Sequence, residues 1–81
     1  MVQKELTKRQ KEFLAMTAQG LMHEKIAEIC VVSPETVRNS LARARERMKA
    51  STTAQCVVLA IAREELGLTH EGYCYVPNIE S

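Results

Sequence analysis

The sequence predicts an all-α domain of four helices whose middle pair forms a helix-turn-helix, followed by a short non-helical C-terminal tail. Three observations predict it. Between Leu6 and Leu66 the apolar side chains recur at helical spacing, with no sustained alternation. Helix start and stop signals punctuate that stretch, with Thr7, Ser33 and Thr52 as hydroxyl caps and Gly20 and Gly67 as stops. The segment from Pro34 to Lys49 joins one apolar stripe to an arginine-rich exterior.

The first helix starts at Thr7, where Thr7-Lys8-Arg9-Gln10 fits a capping box with Gln10 reaching back. Phe13, Leu14, Thr17 and Ala18 form its inner stripe, and Gly20 ends it in a left-handed conformation. A shorter second helix runs from about His23 to Cys30, with Ile26, Ala27 and Cys30 on one face and Glu24 suited to its N-terminal dipole. Met22 stands where Ser or Asn would cap best, which weakens that end by about 1 kcal/mol.

Val31 and Val32 lead to the clearest start signal in the chain. Ser33 caps, Pro34 takes the first helical position, and Glu35 and Thr36 follow. Val37, Leu41, Ala44 and Met48 make one stripe, predicted to pack against Phe13, Leu14, Ile26 and Ala27. Arg38, Arg43, Arg45, Arg47 and Lys49 occupy the other faces. Ser51 or Thr52 starts the fourth helix, which should reach about Leu66. Residues 1–67 then form the helix-turn-helix domain, and residues 68–81 form a tail that reads as an extended arm.

Eighty-one residues suffice for one modest core, and a domain this small gains from close helix packing or a partner. Residues 1–49 carry ten Lys/Arg against six Asp/Glu, whereas residues 50–81 carry one Arg against four Glu. A basic half beside an acidic half points one face at a polyanion. The longest apolar run, Cys56 to Ala62, is far too short to span a bilayer, and no signal peptide is evident, so the chain reads as cytoplasmic without a membrane partner. Cys30, Cys56 and Cys74 contain no CxxC pair and form no zinc pattern with His23 or His70; Cys30 and Cys56 read as small core residues. No cofactor or metal is expected. Neither a Gly-rich phosphate loop nor a nucleophile with its base is present, and no catalytic residue is assigned.

A short helix, a tight turn and a second helix with a basic exterior suit double-stranded DNA. The second helix fits the major groove, its N-terminal side chains reach base edges, and flanking cations bind phosphates.

The residues also resemble a family. Leu6-Thr7-Lys8-Arg9-Gln10-Lys11-Glu12-Phe13-Leu14, Ala18-Gln19-Gly20, Ile26-Ala27-Glu28 and Val32-Ser33-Pro34-Glu35-Thr36-Val37-Arg38-Asn39, with Cys56-Val57 in a final helix, are similar to the LuxR/GerE type of DNA-binding domain over residues 6–66. Members usually have Ser-Asn at the positions of Met22-His23, His at Ser40 and Gly-Val at Lys49-Ala50. Residues 33–48 also resemble region four of sigma factors, a promoter-reading helix-turn-helix. The LuxR/GerE resemblance implies that Arg38 and Asn39 face the groove, with chemistry suited to guanine and adenine edges. It implies that Lys25, Thr36 and Arg43 lie near phosphates or on the groove flank. Arg45, Arg47 and Lys49 read as backbone contacts or solvated charges.

The fourth helix is apolar for nearly two turns, more than one core-facing stripe requires. The resemblance assigns Cys56, Val57 and Ala60 to the core and leaves Val58, Ile61 and Ala62 on another face. In that family the last helix commonly pairs with its twin, which implies a homodimer on a palindromic site. The competing readings are that Tyr73, Tyr75 and Val76 fold back over this face, or that the chain is an adaptor or anti-activator binding another transcription regulator or RNA polymerase.

Overall fold

The computed structural model describes residues 6–77, in which α1 (Lys8–Ala18), α2 (His23–Cys30), α3 (Pro34–Met48) and α4 (Thr53–Ala62) precede a hairpin of β1 (Gly67–Leu68) and β2 (Cys74–Tyr75). Residues 1–5 and 78–81, the outer ends of the expected domain and tail, lie outside the described residues. Three helices start on a side-chain cap. The Gln10 N–H donates to Thr7 Oγ1 at 3.0 Å while the Thr7 N–H donates to Gln10 Oε1 at 2.9 Å, completing the capping box. Ser33 Oγ accepts the Thr36 N–H at 3.1 Å, and Thr52 Oγ1 accepts the Gln55 N–H at 3.0 Å. α2 starts at Met22 without a side-chain cap.

All four helices end in the same way. A residue with positive φ follows the last turn: Gly20 (96°), Val31 (58°), Lys49 (57°) and Glu64 (63°). The next N–H then reaches back five residues, from Leu21 to Met16 O, Val32 to Ala27 O, Ala50 to Arg45 O and Glu65 to Ala60 O, at 2.8–3.1 Å. This is the Schellman arrangement, and it satisfies carbonyls that the helix itself leaves unpaired. Leu21, Val32 and Ala50, the residues after the positive-φ position, pack against the core and anchor three of the turns.

The four helices enclose one core. Val37, Leu41, Ala44 and Met48 of α3 are buried with Phe13, Leu14, Ile26, Ala27, Cys56 and Ala60, so α3 is the central element. Two expectations about α1 and α4 are corrected. Ala18 is exposed and Thr17 only half-buried, while Gln10 and Ala15 are buried instead. β2 meets the C-terminal end of α1, where the Cys74 N–H donates to Gln19 Oε1 at 2.6 Å. α4 stops at Ala62, short of Leu66, because Glu64 adopts the left-handed conformation and redirects the chain. That turn still delivers Leu66 into the core, where it is fully buried.

The expected extended arm is instead a hairpin. Gly67 pairs with Tyr75 and Leu68 with Cys74, antiparallel, and β2 packs on α1. Gly67 serves this close approach and not a helix stop, since a Cβ there would run into the Tyr75 ring. At the other end of the chain, the Leu6 N–H donates to Glu65 Oε1 at 2.7 Å and ties the start of the domain to the exit of α4.

Candidate nucleic-acid interface

α2 and α3 pack together across the turn formed by Val31, Val32 and Ser33. Burial of one α3 stripe forces the others outward. Thr36, Asn39, Arg43 and Arg47, spaced three or four residues apart, lie along the exposed side. Thr36 is also part of the cap, its Oγ1 lying 2.9 Å from Ser33 Oγ, so this end of the stripe is held in place. Arg38 is exposed too, but stands about 100° round the helix from Asn39. The two residues expected to read bases therefore share a turn without sharing a face. Beside this stripe, Gln10, Arg43, Glu46 and Arg47 line an open groove of about 380 Å³ between α1 and α3.

Two other expected residues are placed differently. Lys25 is exposed on α2, but its Nζ lies 3.5 Å from Glu28 Oε1. Arg45 is half-buried, and its Nη1 donates to Thr53 Oγ1 at 3.0 Å, joining the last turn of α3 to the first of α4. Arg63, which the sequence did not single out, brings its Nη1 to 3.6 Å from Met48 Sδ, at the same end of α3.

A capped helix with a buried stripe and an arginine-rich exterior, held by a short helix across a tight turn, is the geometry of a helix-turn-helix. The family model described as "Bacterial regulatory proteins, luxR family" matches residues 4–60. The chain belongs to the luxR family. Among curated proteins compared individually, none matches it. As a luxR-family domain it is a DNA-binding transcription regulator of helix-turn-helix type. The hairpin from Gly67 to Tyr75 lies beyond the matched residues.

On α4 of this luxR-family domain, Cys56 and Ala60 are fully buried and Val57 half-buried, as the resemblance implied. Of the leftover face, Val58 is 63% exposed and Ala62 is exposed, whereas Ile61 is half-buried and packs against the core. The hairpin leaves Val58 bare; Tyr73 and Tyr75 are themselves about half exposed.

Burial raises the Cys56 thiol pKa, with the Arg45 guanidinium acting the other way and Glu65 adding to the rise. Burial likewise raises Cys74. Both thiols are therefore protonated near neutral pH, which keeps them in the role of small apolar core groups. Among the described residues no three His, Cys, Asp or Glu side chains gather as a metal site, and no helix is long and apolar enough to cross a membrane.

Proposed function

We propose that this domain is a sequence-specific, cytoplasmic regulator that reads the major groove with α3 and binds as a homodimer through α4. The carrying observation is the exposed stripe of Thr36, Asn39 and Arg43 next to a firmly capped helix N-terminus, with Arg38 on its flank. Asn39 suits the N6/N7 edge of adenine and Arg38 the O6/N7 edge of guanine. Arg43 and Lys25 supply charge to phosphates, the Lys25–Glu28 contact being an exposed pair that a phosphate can displace at little cost. The function is binding, with no chemical step. For dimerisation the support is narrower: Val58 and Ala62 present apolar surface on α4 that stays exposed among the described residues.

Selection of bound sequences from random duplex DNA, followed by a mobility shift at two salt concentrations, tests this reading. With roughly four phosphate contacts, affinity falls about a hundredfold between about 50 and 200 mM salt. The selected sites should be inverted repeats. Binding that is absent or insensitive to salt favours the adaptor reading, in which the α4 face meets another regulator.

A further inference from the structure

α4 is held to the last turn of α3 at both of its ends. At its start, Thr53 Oγ1 accepts from Arg45 Nη1 at 3.0 Å; at its close, the capping residue Arg63 brings Nη1 to 3.6 Å from Met48 Sδ. Arg45 takes part through its backbone as well. Its carbonyl accepts the Ala50 N–H at 2.9 Å, the bond that closes the turn between the two helices. One residue therefore grips the α3–α4 joint by main chain and side chain together. Packing alone would hold that joint loosely. The side chains that α4 buries fully, Cys56 and Ala60, are small, with Val57, Leu59 and Ile61 half-buried around them. Apolar contact is non-directional, whereas a hydrogen bond weakens steeply as its angle opens.

α4 carries the proposed dimer contact and α3 the proposed reading surface, so the angle between them decides where the two reading ends of a dimer stand. The leverage is large. Arg45 lies nine residues, about 13 Å of helix, from Thr36 at the reading end. A pivot of about 10° at the joint moves that end by about 2 Å, and the two-fold axis doubles the change to roughly 4–5 Å. One base-pair step is about 3.4 Å, so a loosened joint shifts the spacing by a full step. We infer that Arg45, acting through Thr53, is a positioning residue that fixes the angle between α3 and α4 and thereby the spacing of the two half-sites that the dimer accepts. The inference rests on the DNA-reading and dimer proposals above and adds the residue pair that sets their geometry.

The test titrates duplexes that carry one selected half-site, or two in inverted repeat with the spacer varied one base pair at a time. The proteins are the wild type, Thr53→Val, Thr53→Ser and Arg45→Ala. Thr53→Val keeps the shape of the side chain and removes the acceptor, while Thr53→Ser keeps the hydroxyl. The wild type should favour one spacer over its neighbours. In Thr53→Val and Arg45→Ala that preference should fall by about five- to tenfold, with Thr53→Ser close to the wild type. Thr53→Val should still bind the single half-site as tightly as the wild type. The ratio between spacers is blind to poor folding, because loss of folded protein weakens every duplex alike. An unchanged spacer preference in Thr53→Val overturns the proposal, as does a wild type indifferent to spacer length. A loss in Arg45→Ala on single and paired half-sites alike, with the preference intact, also overturns it by assigning Arg45 to a phosphate. A wild type that binds two half-sites no more tightly than one removes the proposal together with the dimer reading, and one that binds no duplex removes the DNA reading too. Both failures show before any variant is made.

Discussion

At position 31 a valine occupies a conformation that its own side chain opposes. The Schellman turn needs the left-handed geometry to bring Val32 into the core, and the following Ser33 needs that same turn to cap α3. Left-handed backbone costs an L-residue roughly 1–2 kcal/mol, so Val31→Gly should stabilise the domain by about 1 kcal/mol after the added freedom of the unfolded chain is counted. For a domain of this size that is a rise of about 4–8 °C in melting temperature, readable by circular dichroism. Arg45 predicts the reverse. Its hydrogen bond to Thr53 links two helices, so Arg45→Ala should lower stability by about 1 kcal/mol and lower the melting temperature. The cysteines give a pH signature. Burial holds the folded pKa of Cys56 and Cys74 above the ordinary thiol value of 9.0. The stability this represents is complete below that value and is lost as pH rises above it toward the folded pKa. Urea midpoints should therefore hold steady up to about pH 9 and fall as pH rises further, less steeply in Cys74→Ala than in the wild type.

Among the elements, the starts were more legible than the ends. Thr7-Lys8-Arg9-Gln10 and Ser33-Pro34 announce α1 and α3 because a cap is a local contact between residues three apart. The exit of α4 was not legible, since Glu64 carries no compositional mark of the left-handed turn it makes, and Gly67, which looks like the stop, serves the Tyr75 ring. Two-residue strands leave no periodicity, which hid the hairpin. Of the site, the exposed run from Thr36 to Arg43 was legible from the buried stripe opposite it; the diversion of Arg45 to Thr53 was not, because that partner lies across a loop. The same partition refines the test of the dimer. Ile61 packs against the core, so a charge there would disturb the fold itself, whereas Val58 and Ala62 are exposed. Val58→Glu should leave the melting temperature almost unchanged and convert a dimer to a monomer in sedimentation, because the charge meets its own copy across a two-fold axis. A wild type that sediments as a monomer at micromolar concentration would contradict dimerisation of the free protein.

Over the whole molecule, charge and apolar surface are divided among different faces. α3 supplies four of the arginines, while α4 carries no charged side chain and leaves Val58 exposed, and Glu64, Glu65 and Glu71 lie in the segments that follow it. Two contacts close the domain: Leu6 to Glu65 at one place and Gln19 to Cys74 at another. Base reading by α3 is separated from charge-driven binding by a single comparison. Affinity for the selected site and for a scrambled duplex is compared between the wild type, Arg38→Ala and Asn39→Ala. Base reading gives a loss of about 1–3 kcal/mol on the selected site, little change on the scrambled one, and relaxed preference at a single base position for each variant. Equal losses on both duplexes, or none on either, would contradict it.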